Sequence, residues 1–170
     1  MRILLVRHAA AIERAAAPSS DAERHLTAEG RRRFARAVKR LARVPRFKVS
    51  RIFTSPLVRA VQTAELFAFG VQYDEAIEVW TRLRPEEPAT APLESLDGLP
   101  DDATIVLVGH EPQMTELAGR ILGVPFPLRF SKGSVASIER KKGKAKLHWL
   151  LLAKDRRFLG LDGAPVRRVR

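Results

Sequence analysis

Four side chains suited to holding an anion follow apolar segments of the sequence. Arg7 and His8 come directly after an apolar run near the N-terminus, His110 comes shortly after a second such run, and Arg59 follows a third candidate segment. Two guanidiniums and two imidazoles, with no obvious buried carboxylate between them, would suit a dianionic phosphoryl group. A metal site would need three or four ligands, commonly with carboxylate or thiolate help. We therefore predict an anion site that uses neither a metal nor another cofactor.

The segments before these residues have the composition of buried strands. Residues 3–6 and 104–108 are continuous apolar runs rich in branched side chains, which is typical of strands inside parallel sheets. Ligands of open α/β sheets bind at the carboxyl ends of the strands. We therefore expect Arg7, His8 and His110 at one edge of a sheet.

Arg59 is expected near the start of a helix at the same edge. A strand is predicted over residues 49–54, and the Ser55-Pro56 pair behind it predicts a helix start, with Ser55 as N-cap and Pro56 at the first helical position. The backbone N–H groups of a first helical turn favour an anion, and a guanidinium adds two parallel donors. Arg59 would thus add a second guanidinium to the anion site.

The rest of the chain predicts a single α/β domain. Thr27 is a predicted N-cap of a helix with apolar residues at helical spacing through to Pro45. Further strands are predicted at residues 76–80, 134–139 and 145–152, the last two as a hairpin. We expect a three-layer αβα sandwich with a mostly parallel central sheet and no large cap domain. The domain is predicted to span residues 1–153, and residues 154–170 are predicted to form a basic C-terminal tail.

Composition limits the classes of protein that the chain can belong to. The 170 residues, 45% of them hydrophobic, are enough for one well-buried core. The absence of cysteine excludes disulfides, thiolate nucleophiles and Cys-ligated zinc. The first apolar run is too short for a signal peptide, and no run is long enough to cross a bilayer. We expect a cytoplasmic protein without a membrane association.

The chain is strongly basic. Its formal net charge is +12 and its pI is about 11.1, which would attract an acidic or phosphorylated partner. The alternative is that most of these charges are solvated and reflect an arginine-rich composition. The first predicted helix carries a basic face made of Arg32, Arg33, Arg36, Lys39, Arg40 and Arg43. No aromatic residue is interleaved on that face to stack on bases, so a solvated helix face is favoured over a nucleic-acid site.

Three segments, taken in their order along the chain, resemble the histidine phosphatase superfamily, which is also called the phosphoglycerate mutase-like fold. The segments are Val6-Arg7-His8, then Thr54-Ser55-Pro56-Leu57-Val58-Arg59-Ala60-Val61-Gln62-Thr63-Ala64, then Val108-Gly109-His110. The small size, the missing cap and the Arg24-His25-Leu26-Thr27 segment resemble the SixA-type phosphohistidine phosphatases in particular. The resemblance covers roughly residues 1–152.

The resemblance implies a role for each of the four residues. His8 would be the nucleophile that becomes a phosphohistidine, Arg7 and Arg59 would bind the phosphoryl oxygens, and His110 would donate to them in the transition state. A histidine nucleophile must present an unprotonated nitrogen, so the other ring nitrogen of His8 is expected to donate to a backbone carbonyl. Arg24 matches the SixA-type Arg-x-Leu-Thr pattern and would either bind the phosphate or be a solvated loop arginine.

Two positions depart from the pattern of the superfamily. Ala9 stands where a glycine is usual, and a Cβ there tolerates close backbone approach less well. The general acid is the second departure, because only Glu86 and Glu87 follow the third predicted strand, and both can equally be loop carboxylates. A site without a positioned acid suits an imidazole leaving group better than an alkoxide.

The sequence therefore predicts a metal-independent phosphatase with a covalent phosphohistidine intermediate. Its preferred substrate class is phosphohistidine on a protein such as a phosphotransfer domain. The alternatives are a small-molecule phosphomonoesterase of the same superfamily, and a non-catalytic module that binds an anion or RNA. The expected partner is thus a phosphorylated protein or a small phosphorylated molecule. The sequence does not specify the oligomeric state.

Overall fold

The computed structural model describes residues 1–17, 19–44, 47–126 and 129–160. Within these ranges the strands are β1 (Arg2–Arg7), β2 (Arg51–Thr54), β3 (Ile77–Val79), β4 (Thr104–Gly109), β5 (Val135–Lys141), β6 (Lys144–Leu152) and β7 (Arg157–Leu159). The α-helices are α1 (Ala28–Leu41), α2 (Val58–Val71), α3 (Thr90–Leu96) and α4 (Gln113–Leu122). All the strands belong to one sheet with the order β3-β2-β4-β1-β5-β6-β7.

The sheet combines a parallel half with an antiparallel half. β1 to β4 run parallel to one another, and a crossover connection that contains a helix joins each to the next. β5, β6 and β7 continue the sheet beside β1 as antiparallel strands. The tight turn at Lys142-Gly143, where both residues have positive φ, joins β5 to β6. The predicted α/β fold and the predicted hairpin are confirmed.

Helices cover both faces of the sheet. Leu4 and Val6 of β1 pack with α1 and α2, while Ile3 and Leu5 of the same strand pack with α3 and α4 on the opposite face. A strand buried on both faces must be apolar at every position, which is what the continuous apolar run of β1 provides. The three-layer αβα arrangement is therefore as predicted.

The N-terminus of α1 follows its predicted cap. The Thr27 hydroxyl oxygen accepts a hydrogen bond of 2.9 Å from the Gly30 N–H. The described helix ends at Leu41 rather than continuing to Pro45, which lies outside the described residues. A proline disfavours helical geometry in the residue before it, so an earlier end is physically reasonable.

The predicted start of α2 is wrong by two residues. The helix begins at Val58, with Leu57 as an N-cap that makes no side-chain hydrogen bond. Ser55 instead extends the path of β2, because its N–H donates to the Val108 carbonyl at 2.9 Å. Its hydroxyl lies 2.9 Å from a ring nitrogen of His110 and accepts a hydrogen bond of 3.4 Å from the Leu57 N–H, which precedes the first helical residue.

The segment between β3 and β4 contains no domain of its own. All of residues 80–103 are described, and they hold only a short 3-10 turn at Thr81–Leu83 and the seven-residue α3. The prediction of no large cap is confirmed. No helix in the described ranges has the length and apolar character that a membrane span requires.

The sheet extends beyond residue 153. The short strand β7 pairs with β6, and its Phe158 packs edge-on against Trp149. Residues 161–170 of the predicted tail lie outside the described residues, and the boundary at residue 153 stays a prediction.

Candidate active site

Strand register brings the two histidines together. Arg7 of β1 pairs with Gly109 of β4, so the next residue along each parallel strand emerges at the same edge of the sheet. The His8 N–H donates to the Gly109 carbonyl at 3.0 Å, and the His8 and His110 rings lie 5.1 Å apart, centroid to centroid. The two imidazoles thus lie side by side, 102 positions apart in the sequence numbering.

The His8 ring has a defined tautomer. Its Nδ1 lies 2.8 Å from the Ala9 carbonyl oxygen, which can only accept, so Nδ1 carries the proton and Nε2 keeps its lone pair. Burial lowers the pKa of His8 to about 4, with the charges of Arg59, Arg7 and Lys132 adding to the effect. At neutral pH the ring is uncharged, and Nε2 is available as a nucleophile.

His110 is held through its Nε2, which shares a hydrogen bond of 2.9 Å with the Ser55 hydroxyl. Burial lowers its pKa to about 3, and the neighbouring His8 is the next largest cause. Its Nδ1 is buried and has no hydrogen-bond partner among the described residues. A neutral imidazole therefore lies beside His8 with one ring nitrogen free to bond an additional group.

The two arginines are fixed by backbone and carboxylate oxygens. Arg7 donates from Nη1 to the Phe130 carbonyl at 2.7 Å. Arg59 is only 4% exposed and donates from Nη1 to the Asp21 carbonyl at 2.7 Å and from Nη2 to the Asp21 carboxylate at 2.9 Å. Burial lowers the pKa of both guanidiniums. Both stay charged, because the ordinary pKa of arginine lies far above neutral pH.

Asp21 is a component of the site that the sequence analysis missed. Its carboxylate lies 2.9 Å from Arg59, 2.9 Å from Arg24 and 3.6 Å from Arg14. The hydrogen bond from Arg24 is the largest cause of the lowered pKa of Asp21. Asp21 is thus a partly exposed carboxylate beside one of the four central residues, Arg59, which the sequence analysis did not anticipate. The Asp21-x-x-Arg24 spacing, which places both residues on one turn, was the available signal.

Glu111 is a second carboxylate that sequence analysis did not single out. It directly follows His110, and its half-buried carboxylate accepts a hydrogen bond of 2.7 Å from the Thr115 hydroxyl. Its Oε1 is buried and has no hydrogen-bond partner in the described part of the chain. Burial raises the pKa of Glu111, and its charge acts on Arg7. The Gly-His-Glu-Pro string carried the only sequence signal for it.

Comparisons with known proteins identify the family of the chain. A family model described as histidine phosphatase superfamily (branch 1) matches residues 3–85. An uncharacterized protein of Picosynechococcus sp. (strain PCC 7002) is 36% identical over 124 residues, which cover 71% of this chain and 73% of that protein. The chain belongs to the histidine phosphatase superfamily. The predicted resemblance is thereby confirmed at the level of the superfamily.

Solved structures of histidine phosphatases share the fold. The protein histidine phosphatase SixA in complex with tungstate matches with a TM-score of 0.79 and 23% identity, over 91% of this chain and 99% of that one. A phosphoserine phosphatase mutant from Entamoeba histolytica, in complex with phosphoserine, matches with a TM-score of 0.67 and 14% identity, over 90% and 98%. A mycobacterial glucosyl-3-phosphoglycerate phosphatase matches with a TM-score of 0.64 and 18% identity, over 86% and 96%. At these identities the likeness concerns the fold.

The alanine that departs from the superfamily pattern is accommodated without backbone strain. Ala9 is not among the residues with positive φ, so its side chain causes no left-handed backbone strain. Its N–H donates to the Thr63 hydroxyl at 3.0 Å, and that hydroxyl donates to the Arg59 carbonyl at 2.6 Å. Thr63 therefore ties the loop after His8 to the helix that carries Arg59.

Neither of the two candidate acids forms a side-chain hydrogen bond or an ion pair with the four central residues. Glu86 is exposed and lies 3.8 Å from Arg84. The Glu87 backbone carbonyl accepts from the side-chain amide of Gln113 at 2.9 Å. Neither carboxylate is among the leading charges that shift the pKa of His8 or of His110. A role for Glu86 or Glu87 as general acid stays a prediction from sequence.

Arg24 reaches the site through Asp21. Its Nε donates to the Ile12 carbonyl at 2.7 Å, and its Nη1 donates to the Asp21 carboxylate. It is thus an anchored loop arginine, adjacent to the carboxylate that Arg59 also binds. Within the described ranges, no three histidine, aspartate or glutamate side chains form a group able to hold a metal ion.

Proposed function

We propose that this protein hydrolyses phosphohistidine on a protein substrate through a covalent phosphohistidine at His8. The observation that carries the proposal is the state of the His8 ring, whose Nδ1 donates to the Ala9 carbonyl and whose Nε2 is left unprotonated. This nitrogen lies next to a second neutral imidazole and two guanidiniums, which are the groups that a dianionic phosphoryl group requires.

The reaction has two displacements at phosphorus. His8 Nε2 attacks, the bond from phosphorus to the substrate nitrogen breaks, and the leaving imidazole keeps the electron pair and bears a proton. A water molecule then attacks the phosphoryl group on His8, giving inorganic phosphate and free His8. Arg7 and Arg59 would neutralise the charge spread over the equatorial oxygens in both transition states.

Unpartnered donors support this assignment. Arg7 Nε, Arg59 Nε and His110 Nδ1 are buried without a hydrogen-bond partner among the described residues. A buried donor without an acceptor is costly, so this site is short of acceptor oxygens in its free form. If the Ser55 hydroxyl donates to His110 Nε2, the remaining proton lies on Nδ1 and can be donated to a phosphoryl oxygen.

The preference for a protein substrate rests on two features, the lack of a large cap over the site and the lack of a positioned general acid among the described residues. Residues 80–103 hold no domain-sized cap, and neither the Glu86 nor the Glu87 carboxylate forms a hydrogen bond or ion pair with the four central residues. An imidazole protonated by solvent can leave without a positioned acid, whereas an alkoxide needs a proton in the transition state. The fold likeness to SixA agrees with this preference.

A small phosphomonoester is the second candidate substrate. The observation that favours it is Glu111, a half-buried carboxylate with a raised pKa directly after His110. Such a group could keep its proton longer than an exposed glutamate and give it to an alkoxide. The predicted cytoplasmic location and the phosphorylated partner stay predictions under either candidate.

The test compares two substrates with and without the nucleophile. Phosphate release would be measured from a phosphohistidine-bearing phosphotransfer protein and from p-nitrophenyl phosphate, using the wild type and His8→Ala. We expect His8→Ala to lower both rates by more than about a thousand-fold, because the covalent route is removed. Wild-type protein quenched during turnover should carry an acid-labile, alkali-stable phosphoryl label that His8→Ala lacks.

The ratio of the two rates assigns the substrate. A large excess of turnover on the phosphotransfer protein supports phosphohistidine, and turnover on the aryl phosphate alone supports a small phosphomonoester. His8→Ala turnover at the wild-type rate would contradict the mechanism. A wild-type protein that binds phosphate but releases none from either substrate would indicate a non-catalytic anion-binding module.

A further inference from the structure

A groove of about 250 Å³ lies beside the candidate active site. Ala9 and Ala10, the two residues that follow His8, form one of its walls. The other walls come from α1, from the loop before β5 and from the end of β6. The groove is thus built on the backbone that positions the nucleophile, although none of the four central residues lines it.

The groove and the active site share structural elements. The Gly133 N–H, in the loop before β5, donates to the carbonyl oxygens of Arg7 and His8 at 3.2 and 3.0 Å. The adjacent Lys132 lines the groove, and its charge contributes to the lowered pKa of His8. A ligand seated in the groove would therefore lie next to a group held at His8.

The groove has an apolar floor and a cationic rim. Phe34, Ala9 and Ala153 are buried beneath it. Its charged lining residues are Arg33, Lys132 and Lys154, and no aspartate or glutamate is among the described residues that line it. The rim thus carries three positive charges around a surface that can contact apolar or small side chains.

Two of these three cations lack a counter-ion in the described part of the chain. Arg33 shares the Glu29 carboxylate with Arg32, so its charge is partly compensated. Lys132 and Lys154 form no ion pair with any described residue, and the carboxylate of the neighbouring Asp155 is bound by Arg157. An anionic ligand could therefore pair with Lys132 and Lys154 without breaking an existing ion pair.

We propose that this groove binds a short acidic segment of the phosphoprotein substrate, next to its phosphorylated side chain. The inference rests on the proposed function and names the chemistry of the partner. The volume suits two or three side chains rather than a whole domain surface. Phe34 is fully buried, so it offers no exposed ring for a base to stack on, which favours a peptide over RNA.

The first experiment uses two phosphohistidine peptides that are identical except for the residues flanking the phosphohistidine, glutamate in one and glutamine in the other. We expect kcat/KM to be about five-fold higher for the glutamate peptide, since exposed charge pairs contribute modestly. Lys154→Glu should remove or reverse this preference. Its turnover of p-nitrophenyl phosphate should stay at the wild-type rate, because Lys154 is exposed and outside the phosphoryl site.

Lys39→Glu is the matched control. It makes the same change of charge at an exposed position of α1 that does not line the groove, so the preference for the glutamate peptide should survive. Equal kcat/KM values of the wild type for the two peptides would overturn the proposal. Loss of the preference in Lys39→Glu as large as in Lys154→Glu would also overturn it, because general charge would then explain the effect.

A binding measurement separates this proposal from the proposed function. If neither peptide is hydrolysed while p-nitrophenyl phosphate is, the proposed substrate is wrong. Fluorescence anisotropy of the unphosphorylated peptides with His8→Ala protein then still tests the groove. Tighter binding of the glutamate peptide, weakened by Lys154→Glu, supports an acidic ligand. Equal binding of the two peptides overturns the proposal. Displacement of the peptides by a single-stranded RNA oligomer, whose own binding requires Lys154, also overturns it.

Discussion

At the residue scale, the site depends on two imidazoles that remain uncharged at neutral pH. Burial is the main cause at both His8 and His110, and the surrounding guanidiniums oppose a further positive charge. The same burial leaves the Arg7 and Arg59 charges strong, because little solvent screens them. The site therefore presents a neutral nucleophile in a field that attracts a dianion.

This arrangement predicts a loss of stability in mild acid. The unfolded chain takes up protons on His8 and His110 near pH 6.5, but the folded chain does so only near pH 4 and 3. Between these values the unfolded state binds more protons, so the free energy of unfolding falls as the pH falls. Each histidine contributes a slope of at most about 1.4 kcal/mol per pH unit. Denaturant unfolding at several pH values measures the slope.

The control for this prediction is the double variant His8→Gln/His110→Gln. It lacks both titrating rings but keeps the carboxylates, so its stability should depend less on pH between 6.5 and 4. An identical slope in the wild type and the double variant would contradict the assignment of neutral, buried histidines.

Asp21 is predicted to act as a positioning residue for Arg59. Its backbone carbonyl and its carboxylate hold the two terminal nitrogens of that guanidinium. In Asp21→Asn we expect kcat for p-nitrophenyl phosphate to fall about ten-fold, because the Arg59 guanidinium loses the carboxylate that holds it in place. KM should stay the same or fall, because a negative charge near the dianion is removed. Steady-state kinetics separates the two parameters.

Glu23→Gln serves as the comparison for Asp21. Glu23 lies on the same turn, but its carboxylate accepts a hydrogen bond from Ser19 and binds no arginine among the described residues. Its kinetics should match the wild type. A rise of KM alone in Asp21→Asn, with kcat unchanged, would show that the carboxylate does not position Arg59.

At the element scale, the close approach of α1 to the loop after β1 fixes the loop that holds the nucleophile. The Ala10 carbonyl accepts from the Thr27 N–H at 3.0 Å, and Gly30 passes so near it that a Cβ would collide with the carbonyl oxygen. This oxygen is two residues from His8. The packing of α1 therefore bears directly on the geometry of the site.

Gly30→Ala is predicted to be destabilising, although alanine has the better helix propensity. The new methyl group must displace the backbone at Ala10, which we expect to lower the free energy of unfolding by about 1–3 kcal/mol and to reduce kcat. Gly98→Ala is the control, because a Cβ there meets no atom within 4 Å. Chemical denaturation and p-nitrophenyl phosphate assays would test both. Equal stability of Gly30→Ala and wild type would refute the argument.

At the scale of the whole molecule, the excess of positive charge affects the rate at which anionic substrates associate with the protein, rather than the chemical step. The sequence has a net charge of +12, and in the described part of the chain exposed basic side chains include Arg32, Arg36 and Lys39 of α1. Salt screens such charges over distances near 8 Å at physiological ionic strength, but it screens buried groups much less. Binding of a macromolecular anion and turnover of a small phosphate ester should therefore respond differently to salt.

We predict that p-nitrophenyl phosphate turnover persists when sodium chloride is raised from about 0.05 M to about 0.2 M. Hydrolysis of an acidic phosphoprotein should slow through a higher KM over the same range, because its encounter depends on exposed charges. Rates for both substrates measured against salt concentration test this. A parallel loss for both would mean that exposed charges also determine binding of the small phosphate.

The sequence by itself determined the strand ends and the residue types that stand there. Continuous apolar runs of this length are typical of strands buried on both faces, and parallel strands end at one edge of a sheet, so the sequence predicted that Arg7, His8 and His110 meet at that edge. The resemblance to histidine phosphatases rested on the same residues and added their roles. Ser55 as the N-cap was wrong, because the helix begins only at Val58, and the Ser55 hydroxyl bonds both the Leu57 N–H and the distant His110 ring.

Only the tertiary structure decided which carboxylates belong to the site. Glu86 is exposed and Glu87 is partly buried, and a role for either as general acid stays a prediction, while Asp21 forms an ion pair with Arg59 and the charge of Glu111 acts on Arg7. Loop carboxylates carry no periodicity, so their placement depends on how the loops pack over the sheet. The groove beside His8 is decided in the same way, because α1, the loop before β5 and the end of β6 meet only once the sheet has formed.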